Sequence, residues 1–190
     1  MVAIFLLVIM IVIYQRCIEL VIARRNARYI KQAGGYEVAA GHYKWIVSLH
    51  AVFFVSLIGE VLLHVSTVSI PFYFWPFCIF CLAQLLRIWS MRSLGYFWNT
   101  RIFVLEGKKP VVHGPYRYIR HPNYLVVLIE VGMLPVTFGA WKTAVIFTVA
   151  QAIILSVRIT AEEEALQKAY KYEAWMKEKG RFSPLRKQKD

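Results

Sequence analysis

Residues 114–124 read GPYRYIRHPNY, and residues 159–166 read ITAEEEAL. The first stretch packs two arginines, a histidine, three tyrosines and two prolines into eleven positions. The second offers three consecutive carboxylates, Glu162, Glu163 and Glu164. Arginines and carboxylates together can hold a small molecule that bears both signs of charge, and a histidine or glutamate can take a proton. The proline after His121 disfavours helix at the histidine and suits the first position of the helix that follows.

The surroundings of both stretches are apolar. Hydrophobic residues make up 58% of the 190 positions, and the mean hydropathy is +0.49. The apolar residues come in long runs, which predicts an all-α integral membrane protein. Five spans are expected, at about 2–22, 43–64, 70–91, 122–138 and 140–160. The first opens the chain without a basic n-region or a small-residue cleavage site, and reads as a retained span. Pro135 and Gly139 divide the long run 122–160 into a hairpin whose first arm is short and shielded. Residues 92–121 read as loop with short extended or helical pieces, and 161–179 as an amphipathic helix. One domain is expected over 1–190, with three N-terminal spans in 1–91 and a catalytic half in 92–190.

The net charge of +12 is distributed beside the apolar runs, where basic side chains meet lipid headgroups. No recognition helix, zinc-finger spacing or aromatic platform speaks for nucleic acid. Cys78 and Cys81 form a CxxC inside an apolar run, without the further ligands a zinc site needs. Lysine and arginine number five in 23–44, seven in 87–120 and nine in 158–190. The positive-inside rule makes these segments cytoplasmic, which puts the N-terminus outside and the C-terminus inside. The hairpin then returns Arg117, Arg120 and His121 to the same face as Glu162, Glu163 and Glu164. Headgroup anchoring is the plain alternative for any single arginine or tyrosine here.

Residues 84–102 add Arg87 and Arg92, with Trp89, Trp98 and Asn99 around Gly95. Those rings suit an adenine or a lipid chain, and equally an interfacial belt. Inside the spans, His50, Glu60, His64 and Glu130 need a reason, because ionisable groups in hydrocarbon are costly. Glu60 and His64 stand one turn apart and can pair; Glu130 can line a cavity or serve a structural hydrogen bond.

The run GPYRYIRHPNY, an apolar hairpin, an acidic pair and a tyrosine-rich tail together resemble the isoprenylcysteine carboxyl methyltransferase family over about 84–184. The resemblance implies an integral-membrane enzyme that uses S-adenosylmethionine in a cytoplasmic pocket built by the C-terminal half. It implies that Arg120, His121, Pro122 and Tyr124 form a signature turn, with His121 helping to hold the cofactor. Glu162 and Glu163 match the acidic pair, Arg87 and Gly95 the preceding segment, and Tyr116, Arg117 and Tyr118 the lead-in. Tyr170, Tyr172, Arg181, Phe182 and Pro184 resemble a closing segment over the cofactor, although RFSPL stands where a more apolar ending is common. Catalytic roles are thus expected for Arg117, Arg120, Glu162 and Glu163, and no metal is implied. The expected acceptor is a lipophilic acidic hydroxyl or carboxyl group drawn from the bilayer, an alkylpyrone or a prenylated cysteine. A sterol-type NADPH reductase, with Arg92 or Arg101 on the extra phosphate, and a non-enzymatic transporter or scaffold are the rival readings.

Overall fold

The computed structural model describes residues 1–65, 70–170 and 179–182. Five helices dominate it: α1 (Val2–Gln32), α2 (Ala40–Val65), α3 (Phe74–Leu94), α4 (Pro122–Thr137) and α5 (Trp141–Tyr170). They run up and down, so that one end of the bundle gathers the basic loops. Apart from a two-stranded ribbon, this is an all-α integral membrane fold. Four of the helices are long and apolar enough to cross a membrane, and α4 is the exception. Its 16 residues reach about 24 Å at 1.5 Å per residue, less than a hydrocarbon core of about 30 Å. Short length is tolerable because α4 packs against α3 and α5 and buries Val126, Val131 and Leu134.

The turn of the hairpin falls at Gly139, not at Pro135. Pro135 stays in the last turn of α4, where a missing N–H removes only one bond. Gly139 adopts φ 75°, and a Cβ there would come within 2.6 Å of Pro71 Cγ. At this end Glu60 of α2 accepts hydrogen bonds from the Lys142 and Thr143 N–H groups (3.1 and 2.7 Å) and from the Thr143 hydroxyl (2.6 Å). A carboxylate so placed satisfies orphan donors at the start of α5 and complements its dipole. The side chain of His64, its expected partner, lies outside the described residues.

α5 corrects the expected division at residue 160. The apolar run and the charged stretch after it form one helix to Tyr170, because no glycine or proline interrupts the sequence between them. The rest of the expected amphipathic helix lies outside the described residues. At the basic end, 92–121 holds a 3-10 turn at Gly95–Phe97, strand β2 (Ile102–Val104) and a second 3-10 turn at Gly114–Arg117. β2 pairs antiparallel with β1 (Tyr36–Val38), Tyr36 opposite Val104. These three-residue strands are too short for alternation to announce them.

Charge ties the interior together. Glu130 of α4 accepts from both Arg16 of α1 and Arg87 of α3, and from Gln84 Nε2 at 2.6 Å. Glu19 of α1 accepts from Arg16 Nη1 at 2.5 Å and Arg87 Nη1 at 3.0 Å. Two cations and two anions balance, and Glu19, Arg87 and Glu130 are buried. Beyond this cluster, Phe5, Phe53, Leu134 and Phe138 fill an apolar layer, with Phe5 edge-on to Phe138 at 5.0 Å.

Glu130→Leu is expected to leave an excess buried cation and to destabilise the protein by about 3 kcal/mol. The double variant Arg87→Leu/Glu130→Leu keeps Arg16 balanced by Glu19 and is expected to recover most of that loss. Thermal melting in detergent compares the two; equal losses would show that charge balance is not what holds the helices.

Candidate functional site

The polar knot is built by a turn and a helix start. Gly114 opens its 3-10 turn at φ 60°, and any Cβ there would collide with Ser93 of α3. The turn therefore lies flat on α3, burying Pro115 and Tyr116 and leaving Arg117 exposed. Pro122 occupies the first position of α4 and His121 its cap.

Glu163 is a hub. His121 Nε2 lies 3.1 Å from its Oε1, Arg120 Nη1 3.5 Å from the same oxygen, and Arg181 Nη2 2.6 Å from Oε2. The hydrogen bond to Glu163 raises the Arg181 pKa above its ordinary value. The backbone repeats the contact: the Arg120 N–H donates to the Gly180 carbonyl (3.0 Å) and the His121 N–H to the Arg181 carbonyl (3.1 Å). Arg120 Nε donates to the Lys179 carbonyl at 2.7 Å, and Lys179 Nζ to the Tyr116 carbonyl at 3.1 Å. Residues 179–181 thus form a strap across the start of α4.

Glu162, the next residue, does something different. It accepts the Tyr124 hydroxyl, which in turn accepts from Arg158 Nε at 2.9 Å. Arg158 Nη2 donates to the Thr100 carbonyl at 2.5 Å. Arg158 and Glu162 stand four apart on α5, so one helix face carries both.

Two cavities flank this network. The first, about 170 Å³, is lined by Tyr116, Arg120, His121 and Glu162 together with Phe97, Phe103, Lys108 and Lys109. The second, about 250 Å³, lies lateral and is mostly apolar, with Ile46, Phe54, Val127 and Leu155. Its lining includes Leu20 and Val47, both of them exposed apolar residues of spanning helices. Asn99, Asn123 and Tyr124 line both cavities. Asn99 is fixed by donating to the Ala23 carbonyl at 2.9 Å, and Asn123 by donating to the Tyr116 hydroxyl at 2.9 Å.

Of the residues expected from sequence, Tyr116, Arg120, His121, Pro122, Tyr124, Glu162, Glu163 and Arg181 come together here. Arg117 and Tyr118 do not. The short turn directs both outward, Tyr118 toward Trp89 with ring centroids 6.5 Å apart. Arg87, grouped with the cofactor residues by resemblance, sits in the buried ion cluster and lines the lateral cavity. Tyr170 ends α5; its side chain, Tyr172 and Pro184 lie outside the described residues. Trp98 is buried on the lateral cavity, whereas Trp89 is exposed. Sequence reasoning passed over Arg158, Asn123 and Gln151. The spacing of 151, 158 and 162 along an apolar helix was the available signal.

Glu163→Gln removes the anion shared by three basic side chains and is expected to cost about 2 kcal/mol. Arg181→Ala breaks an exposed arm of the same hub and is expected to cost under about 1 kcal/mol. Thermal melting of the two variants checks the order, and the reverse order would show that the strap depends on Arg181 rather than on Glu163.

A family model described as the isoprenylcysteine carboxyl methyltransferase (ICMT) family matches residues 76–168, from α3 into α5. The chain is 40% identical over 163 residues to the uncharacterized protein YpbQ of Bacillus subtilis strain 168, a match covering 86% of this chain and 96% of that one. The span matched by the family holds Arg120, His121, Tyr124, Arg158, Glu162 and Glu163.

Proposed function

This chain belongs to the isoprenylcysteine carboxyl methyltransferase family, and we propose that it is an S-adenosylmethionine-dependent O-methyltransferase with a lipophilic, acidic acceptor. The observation that carries the reading is the pair of cavities meeting at Tyr124, one polar with both signs of charge, the other apolar and lateral. A water-soluble donor and a lipid-borne acceptor need such an arrangement, because in-line transfer sets the acceptor oxygen and the departing sulfur on opposite sides of the methyl carbon, so the two molecules must reach one point from two directions.

S-adenosylmethionine supplies an electrophilic methyl group on a sulfonium, beside an ammonium, a carboxylate and an adenine. The polar cavity's donor set fits those groups. Glu162 is the anion on this lining that can face a cation, and Arg120, Lys108 and Lys109 give the same lining a positive field for a carboxylate. Phe97 and Phe103 offer ring surface to a base. Tyr116, His121 and Tyr124 complete the lining, while Glu163 and Arg181 act at one remove by holding Arg120 and His121. Arg117 and Tyr118, turned outward, have no part in this assignment.

On the lateral side Arg158 carries the acceptor chemistry. It is 6% exposed, and its hydrogen bonds among the described residues are to the Tyr124 hydroxyl and the Thr100 carbonyl, not to a carboxylate. A buried guanidinium in that state favours an anion. A carboxylate or ionised enol needs no strong base, and Arg158 orients its oxygen toward the shared wall. Tyr124, bonded to Arg158 and Glu162, keeps the two sides in register. The acceptor we favour is a long-chain alkylpyrone, an acidic enol on a hydrocarbon tail, over a prenylated cysteine. The compact five-helix plan is the ground for that choice. We place the polar cavity at the cytoplasmic face of a bacterial plasma membrane, with the N-terminus outside, from the lysines and arginines around it.

Calorimetry of the purified protein in detergent is expected to register binding of S-adenosylhomocysteine and none of NADP; the opposite result overturns the reading in favour of a reductase. Arg158→Leu is expected to lower kcat/KM for the acceptor by roughly 100-fold while the affinity for S-adenosylhomocysteine stays within about threefold. Glu162→Gln is expected to weaken that affinity. Mass spectrometry of an alkylpyrone incubated with the protein and methyl donor reads the product directly.

A further inference from the structure

The lateral cavity is not apolar throughout. Gln151 and Arg87 both line it, and both are buried, at 1% and 4% exposure. Among the described residues, Gln151 Oε1 accepts no hydrogen bond and Arg87 Nε donates none. The two Nη atoms of the Arg87 guanidinium each hold a carboxylate, Nη1 that of Glu19 and Nη2 that of Glu130, and Nε is the guanidinium nitrogen left without an acceptor among the described residues. An amide in the apolar stretch of a spanning helix is costly, and leaving its carbonyl unpaired adds to the cost. A leucine at 151 would pack against Leu155 and Phe54 without that expense. Buried polar atoms of this kind call for a partner that the fold itself does not supply.

Position along α5 says where that partner sits. Gln151, Leu155, Arg158 and Glu162 recur at helical spacing, so one face of α5 leads from Gln151 through the cavity to the wall at Tyr124. Seven residues separate Gln151 from Arg158, about 10 Å along the axis. A six-membered ring with two oxygens in meta relation, plus a hydrogen bond at each end, spans about the same length. A lone carboxylate on a hydrocarbon tail does not.

We propose that Gln151, with the spare Nε–H of Arg87 on the same lining, is a specificity-determining site for a second oxygen function on the acceptor's headgroup. The acceptor is then a ring-headed amphiphile with two oxygens, one at Arg158 where methyl transfer occurs and one at the Gln151–Arg87 pair, where a hydroxyl donates to Gln151 Oε1 and a ring carbonyl accepts from Arg87 Nε. This rests on the reading of the lateral cavity as the acceptor chamber.

Two amphiphiles that differ by one hydroxyl test it: pentadecylresorcinol and meta-pentadecylphenol. Their affinities are measured by calorimetry in detergent, with S-adenosylhomocysteine present, for the wild type, Gln151→Leu and Gln151→Met. The wild type is expected to bind the resorcinol roughly tenfold more tightly than the phenol. In either variant the preference is expected to fall to within roughly twofold, with the phenol bound no more weakly than before. Affinity for S-adenosylhomocysteine, read on the same samples, identifies the variants that are folded. An undiminished preference in a folded variant, no preference in the wild type, or no binding of either amphiphile overturns the inference and leaves the methyl-donor reading standing. A wild-type protein that fails to bind S-adenosylhomocysteine overturns both.

Discussion

Everything at the basic end of this bundle depends on the charge balance among Arg16, Glu19, Arg87 and Glu130. In a bilayer the apolar surface of one helix gains little by leaving lipid for another helix, so packing and polar contacts must specify which helices meet. Here Glu130 holds Arg16 and Arg87 at once, and Glu19 does the same from α1. Each ion alone would be expensive in hydrocarbon; the set of four is neutral, and Gln15 and Gln84 satisfy more of its hydrogen bonds. The cluster joins α1, α3 and α4, and α4 is too short to be placed by its own fit to the membrane. Glu130 lies eight residues after Pro122, so the position of α4, and with it His121 and Tyr124, is set by where Glu130 finds its arginines.

From that anchored start, two adjacent glutamates are sent to separate tasks. Successive residues of a helix point about 100° apart, so Glu162 and Glu163 cannot serve the same partners. Glu163 turns toward Arg120, His121 and the strap residue Arg181. Glu162 turns toward Tyr124 and the polar cavity. An acidic pair therefore separates holding the site together from taking part in it. Because α5 runs unbroken from Trp141, its capped start at Glu60 fixes the register in which both glutamates arrive.

What the sequence made legible follows from the range of the forces involved. Spans are a property of twenty consecutive residues, and hydropathy located α1, α2, α3 and α5. The charge count and the hairpin brought GPYRYIRHPNY to AEEE, and the contacts of Glu162 with Tyr124 and of Glu163 with His121 agree with that pairing. The internal assignment was less accessible. Arg117 and Arg120 look alike in sequence, yet a 3-10 turn four residues long decides that one is exposed and the other reaches Glu163. Arg87 carried a family resemblance, but its partners Glu19 and Glu130 lie 68 and 43 residues away, at separations no local pattern encodes. Arg158 was hidden because a lone arginine near the end of a span reads as an interfacial anchor. Its contact with Tyr124 depends on how α4 crosses α5.

The boundary of the family match divides the protein in a way that bears on what can vary. Residues 76–168 include both glutamates, the partners of Glu162 and most of the polar cavity, though not the strap residue Arg181. The lateral cavity, by contrast, takes Arg16, Glu19 and Leu20 from α1 and Tyr43, Ile46, Val47 and His50 from α2, all before residue 76. On the methyltransferase reading, the donor side and the wall at Tyr124 come from the shared half, whereas the chamber that must recognise a particular lipid is completed by helices outside it. Changing the acceptor then draws on α1 and α2 as well as on the α5 positions of Gln151 and Arg158, with one constraint: Arg16 and Glu19 must keep their balance with Arg87 and Glu130, because that balance also positions Tyr124. Selectivity and assembly meet in the same ion cluster, which limits how far the N-terminal helices can diverge while the reaction centre keeps its shape.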